Sequence, residues 1–238
     1  MRTNIKSKEY FDRFLELELE DISYYDNALK QGEVKEDMIP SVKNKIFKTS
    51  LHLFIAKYSS EFPLENLTRD FVDVISRFEI GWKDKGNTPE DDIHFDNYVL
   101  VLWMLSLGIL LEIEQKDFER IVAVVDNSNR KDYFFDVIIS YRIPYRDIST
   151  KLSYPDQYGF LKDLMETKDV SAIKKYLDEN WYKSMKLTYW YENHKSKHDT
   201  FFGYWSFESA VFIKLLGLDD KILQTHEYYP ADIAHYIE

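Results

Sequence analysis

Hydrophobic residues along this chain recur with the spacing of helices. Apolar side chains return every three or four positions within segments that are separated by short polar stretches, which is the period of an amphipathic helix. Alternating patterns that would predict strands are scarce, and the segments 122–125 and 135–139 have β-prone composition but are short. The main helical segments are predicted at about 6–31, 41–58, 64–82, 116–126, 132–141 and 168–182. The pattern therefore predicts an all-α protein of about ten helices, built as one bundle or as two packed subdomains.

A further helix is predicted from its start signal. Thr88 suits the N-cap, Pro89 suits the first helical position, and the acids Glu90 and Asp91 would lie in the first turn. This helix would continue through residues 98–111, which are apolar nearly all round. Because a bilayer requires about 20 apolar residues, we expect a buried core helix and no membrane span.

Composition narrows the classes of site and location. The chain has no cysteine, which excludes disulfides and thiolate metal sites and favours a reducing compartment. The first residues lack the apolar stretch of a signal peptide. We therefore expect a cytoplasmic protein.

The charge is acidic and unevenly distributed. The net charge is −11, with 25 acidic and 16 basic residues in 1–126 and 17 and 15 in 127–238. A nucleic-acid-binding protein needs a basic face, so the expected partner is a basic protein attracted to the first half. The candidate contact residues form two acidic surfaces. They are Glu9, Asp12, Glu16 and Glu20 on the first helix, and Glu90, Asp91, Asp92 and Asp96 before the apolar run. Each surface would also be explained as an ordinary solvated face of a helix.

A polar, turn-prone segment at 126–130 is the predicted domain boundary. It would separate an acidic N-terminal helical domain, 1–126, from a C-terminal helical domain, 131–238.

Two patterns suggest metal chemistry, and neither is expected to perform it. Asp156, Glu166 and Lys168 match the PD…ExK order of metal-dependent nucleases, but that site requires adjoining strands, and here the residues fall at predicted helix ends. His194 and His198 have helical zinc spacing, yet lysines interleave them in a predicted loop. We expect no catalytic residue, metal or cofactor.

The segment 199–234 combines aromatics with turn signals. Ser206 is a predicted N-cap, Gly217 a predicted left-handed helix end, Asp219 a cap for a short helix, and Pro230 the start of a last one. The residues expected to have structural roles in a closed helical core are Phe202, Gly203, Tyr204, Trp205, Phe207, Glu208, Gly217 and Pro230. Within this set, Glu208 lies in the first turn of the predicted helix and is expected to offset the helix dipole.

This segment resembles the C-terminal part of the PoNi family, immunity proteins that neutralise PoNe-type DNase toxins. The matching residues are 202–208, 214–220 and 228–232, and residues 10–12 with the acids that follow are similar to the family's opening helix. The resemblance implies a non-catalytic, all-α protein that binds a cognate DNase in the bacterial cytoplasm. It implies further that this toxin carries a PD-(D/E)xK nuclease domain and is delivered between bacteria. A helical interaction module for another basic partner remains an open alternative.

Overall fold

The regular structure of residues 1–237, described by a computed structural model, is helical, with no strand among those residues. The α-helices are α1 (Lys8–Lys30), α2 (Ile39–Ser59), α3 (Leu64–Gly81), α4 (Phe95–Leu110), α5 (Gln115–Asn127), α6 (Tyr133–Ser140), α7 (Pro155–Tyr158), α8 (Phe160–Thr167), α9 (Val170–Glu179), α10 (Trp181–Ser184), α11 (Phe207–Leu216) and α12 (Ala231–Ala234). Short 3₁₀ turns lie at Glu36–Met38, Met185–Leu187 and Asn193–Lys195. The all-α prediction is confirmed. The segments 122–125 and 135–139, which have β-prone composition, lie within α5 and α6.

The chain forms two compact units that interleave along the sequence. Unit 1 consists of Met1–Lys83 and Glu192–Gly203. Unit 2 consists of Asp84–Tyr191 and the residues from Tyr204 onward. The aromatic segment 201–205 is therefore shared, because its first three residues belong to unit 1 and its last two to unit 2.

Unit 1 is a three-helix assembly completed by the distant segment Glu192–Gly203. The hydroxyl of Tyr10 on α1 accepts a hydrogen bond from Phe201 N at 2.7 Å and donates one to Phe201 O at 3.1 Å. Ser59 Oγ on α2 donates to Phe202 O at 2.7 Å, and the Phe202 ring stacks on His52. Side chains of α1 and α2 thus satisfy the backbone of a segment that follows them by more than 140 residues.

Unit 2 is built around α4. Every residue of α4 from Tyr98 to Leu110 is buried, which agrees with the expected core helix. Trp103 packs against Trp190 and edge-on against Phe207 at the start of α11. No helix within residues 1–237 combines the length and apolar character needed to cross a membrane.

The start of α4 was predicted wrongly. The helix begins at Phe95, and residues before it form turns. The cause is the carboxylate of Asp91, which accepts hydrogen bonds from Asn87 N at 2.6 Å and from the N and Oγ1 of Thr88. Asp91 therefore closes a local turn in place of lying in a first helical turn.

Three predicted helix starts or caps also differ from the structure. The helix predicted over 168–182 does not begin at 168, because Lys168, at φ 56°, ends α8 and Asp169 caps α9. Ser206 precedes α11, but its hydroxyl bonds Glu208 and Ser209 and caps no backbone amide. Asp219 is followed by turns instead of a helix. In each case a nearby polar group forms a hydrogen bond with the side chain or the backbone, and this bond replaces the predicted capping bond.

The helix end predicted at Gly217 is present. Gly217 has φ 62°, Leu218 N donates to Ile213 O at 3.1 Å, and Gly217 N donates to Lys214 O at 3.2 Å. These two bonds form a Schellman closure.

The boundary expected at 126–130 is not where the compact units divide. Gly86 N donates to Ser128 O at 2.8 Å, and Arg130 pairs with Asp84 at 2.7 Å, so this polar segment is held within unit 2. The polar side chains that suggested a linker are used in contacts with residues about 40 positions earlier. The division of the sequence into 1–126 and 131–238 stays a prediction.

Gly203, the last residue of unit 1 before Tyr204, has a backbone conformation that non-glycine residues rarely adopt. Its φ is 135°. We expect Gly203→Ala to lower the free energy of unfolding by about 1–3 kcal/mol through backbone strain. Urea denaturation followed by circular dichroism would measure the loss.

The control for this experiment is Gly217→Asn. Gly217 also has positive φ, but it lies in the left-handed helical region, which Asn tolerates, and an added Cβ would meet no atom within 4 Å. We expect this control to lose less than about 1 kcal/mol. Equal losses of unfolding free energy in the two variants would contradict the view that Gly203 is required for its backbone conformation.

Candidate partner-binding surface

The acidic stripe of α1 is exposed along its length. Glu9, Asp12, Glu16 and Glu20 are all exposed. Asp12 forms an ion pair with Lys8 at 2.6 Å, and the amide at the helix start together with Ser7 lowers the pKa of Glu9. Glu16 and Glu20 form no ion pair within the described residues. Of the four carboxylates, only Asp12 is paired with a cation within the described residues, so the stripe presents three charges that no ion pair compensates.

The second acidic surface is the turn region before α4, which we call the acidic loop (residues 84–96). The Asp92 side chain is 96% exposed, and Glu90 is exposed as well. Asp91 uses its carboxylate to close the turn described above, and those hydrogen bonds lower its pKa. Asp96, in the first turn of α4, accepts a hydrogen bond from Tyr189 N at 2.9 Å. Glu90 and Asp92 are therefore the outward charges, whereas Asp91 and Asp96 are used within unit 2.

Two cations hold the acidic loop by its backbone. Lys151 Nζ donates to Glu90 O at 2.7 Å and to Asp91 O at 2.8 Å. Arg130 donates to Asp92 O at 3.1 Å and pairs with Asp84. Lys151 Nζ also lies 3.5 Å from Asp92 Oδ1, although the Asp92 side chain stays 96% exposed. The loop is thus fixed chiefly through its carbonyl groups and Asp84, and the side chains of Glu90 and Asp92 remain exposed to solvent. Sequence patterns did not indicate this role for Lys151, which lies about 60 residues away.

Most of the acidic excess of the N-terminal half lies in residues 84–126, which belong to unit 2 and hold 10 acidic and 3 basic residues. Unit 1 carries 17 acidic and 15 basic residues, whereas the described part of unit 2 carries 24 and 16. The stripe on α1 therefore lies on a nearly balanced unit, and the acidic loop lies on the strongly acidic one. Electrostatic attraction of a basic partner is expected to favour the acidic loop.

The residues expected to close a helical core are mostly buried. Phe202, Tyr204, Trp205, Phe207 and Glu208 are each at most 3% exposed. Pro230 precedes α12 and is buried, and Gly217 is an exposed helix end. Their burial leaves the aromatic segment little side-chain surface to offer a partner.

Glu208 is a buried carboxylate in the first turn of α11. Its Oε1 accepts hydrogen bonds from Trp181 Nε1 at 2.7 Å and from Ser206 Oγ at 2.9 Å. Burial raises the pKa of Glu208 to about 7, although these hydrogen bonds partly stabilise the charged form. Burial also raises the pKa of the neighbouring Tyr158 and Tyr176, and the Glu208 charge adds to both effects. Sequence reasoning assigned Glu208 only to helix-dipole compensation and did not foresee its burial.

The nuclease-like triplet lies on helices. Asp156 is in α7, Glu166 is in the last turn of α8, and Lys168 follows α8. All three are exposed, and residues 1–237 contain no strand that could bring the carboxylates together.

The histidine pair lies on the loop of unit 1. His194 is in a 3₁₀ turn, His198 follows it, and the adjacent Asp199 binds Arg13 through two 2.7 Å contacts. Among residues 1–237, no group of three or more His, Asp or Glu side chains is arranged to hold a metal ion.

Comparisons with known proteins identify similar sequences and a similar fold. The family model for the N-terminal part of the PoNe immunity protein (PoNi) matches residues 2–123, and the model for the C-terminal part matches residues 130–233. None of the curated proteins matched the chain. A solved structure, Protein PA2201 from Pseudomonas aeruginosa, is similar with a TM-score of 0.69 and 15% identity, covering 99% of this chain and 89% of that one. This likeness shows a shared fold.

The buried carboxyl of Glu208 predicts that stability depends on pH. Because its pKa of about 7 in the folded state lies above the ordinary glutamate value, protonation favours folding. That contribution, on the order of 3 kcal/mol, is complete below about pH 4.5 and is lost as the pH rises through 7. We expect Glu208→Gln to remove this part of the slope in urea denaturation between pH 5.5 and 8, making the variant the more stable protein at pH 8.

The matched control is Glu166→Gln, which changes an exposed carboxylate of the same unit. It should leave the pH slope of the wild type unchanged. If the unfolding free energies of the wild type and of Glu208→Gln change in parallel with pH, Glu208 is not the group responsible for the pH dependence.

Proposed function

Because the chain belongs to the PoNe immunity protein (PoNi) family, we propose that it binds and neutralises a cognate PoNe-type DNase by forming a stoichiometric complex in the bacterial cytoplasm. The observation that carries this proposal is the match of both family parts, in order, over residues 2–123 and 130–233. Binding without catalysis is sufficient for the role. The exposed triplet Asp156, Glu166 and Lys168 lends no support to a nuclease alternative.

The electrostatics of the chain support a basic partner. A DNase must bind the phosphate backbone, so its DNA-binding face has to be basic. An acidic inhibitor attracts such a face over a distance and either covers the DNA path or binds beside it. The net charge of −11 is consistent with this role and argues against binding DNA directly.

We place the attracting charge on the acidic loop, chiefly on Glu90 and Asp92. The loop belongs to the acidic unit, its backbone is held by Lys151 and Arg130, and both carboxylates face solvent. The stripe Glu9, Asp12, Glu16 and Glu20 on α1 is the second candidate, since it is exposed but lies on a nearly neutral unit. Charge fixed in position costs less to orient on binding than charge on a mobile segment.

Another basic partner would fit the same acidic surface. A helical interaction module of that kind is distinguished from an immunity protein by its genetic context, because an immunity gene lies beside its toxin gene.

Co-expression tests the proposed function. We expect this chain to restore growth of bacteria that express the neighbouring PoNe-type DNase domain, and to co-purify with it at a 1:1 ratio. An unrelated acidic helical protein at equal abundance is the control and should not protect. Failure of growth rescue together with absence of a complex would exclude the proposal.

Charge reversal on the acidic loop tests the placement of the interface. Glu90→Lys with Asp92→Lys should slow association with the DNase domain by about 10-fold at low salt, because the attraction is long-range. The difference should shrink at high ionic strength. Stopped-flow or surface-based kinetics at several salt concentrations would measure it.

The matched control carries the same charge change on unit 1, through Glu16→Lys with Glu20→Lys. We expect its association rate to change less than that of the loop variant. The opposite order would move the interface to α1.

A further inference from the structure

The loop that follows α6 presents a tyrosine entirely to solvent. In this segment, which we call the Tyr145 loop (residues 141–151), Tyr145 is fully exposed, and Tyr141 and Ile148 are also exposed. Large apolar side chains that are exposed together on one short loop need an explanation, because single scattered ones are the usual case.

Both arginines of the Tyr145 loop point inward and fix it. Arg146 binds Asp136 through Nε at 2.8 Å and binds Asp126 through two contacts of 2.7 and 2.9 Å. Its side chain is only 11% exposed. Arg142 donates to Ile113 O at 2.6 Å and lies over the Phe118 ring. The loop is therefore anchored on α5 and α6, so Tyr145 projects from a fixed backbone.

The backbone at Tyr145 is strained. Its φ is 63°, a left-handed conformation that is costly for a bulky residue. Glycine would adopt this conformation without penalty, and asparagine nearly so. No contact of its ring within the described part of unit 2 compensates for the strain, since the side chain is fully exposed. Strain of this kind at an exposed aromatic residue suggests a role in binding.

The Tyr145 loop adjoins the acidic loop. Lys151 ends the former and binds the carbonyl oxygens of Glu90 and Asp91 in the latter. Asp147 lies two residues after Tyr145, is exposed and forms no ion pair within the described residues. The exposed aromatic ring therefore lies on a loop whose cations are held by aspartates, carbonyl groups or an aromatic ring. The exposed carboxylates of Glu90 and Asp92 lie on the neighbouring acidic loop.

We propose that Tyr145 is the anchor residue of an interface formed by the Tyr145 loop and the acidic loop, and that its partner is a basic protein surface. This inference rests on the proposed function, in which that surface belongs to the DNase. The two loops contribute differently. Glu90 and Asp92 accelerate the encounter, and Tyr145 holds the complex once it forms, as buried tyrosines do at the centres of interfaces.

The division of roles predicts a kinetic signature. Tyr145→Gly should speed dissociation from the DNase domain about 30-fold, the effect of losing a strong anchor. Its association rate should stay within about 3-fold, because long-range attraction is unchanged. The melting temperature of the free variant should equal or exceed that of the wild type, since glycine relieves the strain.

A second variant and a control complete the design. Tyr145→Asn also suits positive φ and should reproduce the faster dissociation without loss of folding. Tyr24→Ala removes another exposed tyrosine, 66% exposed on α1 in unit 1, and should leave both rates unchanged. The measurements use the full chain and a catalytically inactive DNase domain.

The possible results separate the two levels of the proposal. If the wild type binds and both Tyr145 variants dissociate at the wild-type rate, the anchor assignment is wrong and the proposed function stands. Faster dissociation of Tyr24→Ala alone would move the anchor to α1. If the wild type neither binds nor protects, the proposed function fails and this inference fails with it.

Discussion

The need to cover α4 on all sides is the constraint on which unit 2 depends. An apolar helix without a polar face cannot lie at a surface, so other helices must surround it. Residues of α11 reach it from more than 90 positions later in the chain, with Phe207 against Trp103. The aromatic segment 201–208 is thus drawn into a core. Its last residues join unit 2, while Phe201 and Phe202 are held by Tyr10 and Ser59 of unit 1.

Several cations of unit 2 are used internally around the acidic loop and the Tyr145 loop, and this explains why the outward charges there are acidic. Lys151 and Arg130 bind carbonyl groups of the acidic loop, and Arg146 lies between two aspartates. Such buried or half-buried cations fix the loops, and because they point inward their positive charge does not face solvent. The carboxylates of Glu90 and Asp92 consequently remain exposed on a loop whose backbone is fixed. The contacts of Lys151 and Arg130 therefore have two effects that would help to attract a basic partner. They fix the backbone of the acidic loop, and they leave its exposed carboxylates as the source of a negative electrostatic potential.

Helix positions could be predicted because they depend on local spacing. The segments α1, α3, α5 and α6 were placed within about two residues, and Gly217 ends α11 through the expected Schellman closure. The errors concern caps. Asp91, Ser206 and Lys168 each take part in a local interaction that competes with the predicted one, and the choice between two hydrogen bonds of similar strength is decided by the surrounding packing. The candidate contact acids were identified as a set, but their ranking required knowing which carboxylates are already bound.

The sequence by itself determined the helical class, the buried position of 98–111, the overall acidity and the resemblance that identifies the PoNi family. These depend on composition, on periodicity and on short motifs, all of which are local. Only the tertiary structure decided that residues 192–203 join the first three helices, that acidity concentrates in unit 2, and that Glu208 is buried. It also decided that Tyr145 projects from a strained loop fixed by Arg146. Such features depend on contacts between residues that are far apart in the chain. The sequence pattern of one segment does not show which distant segments it will contact.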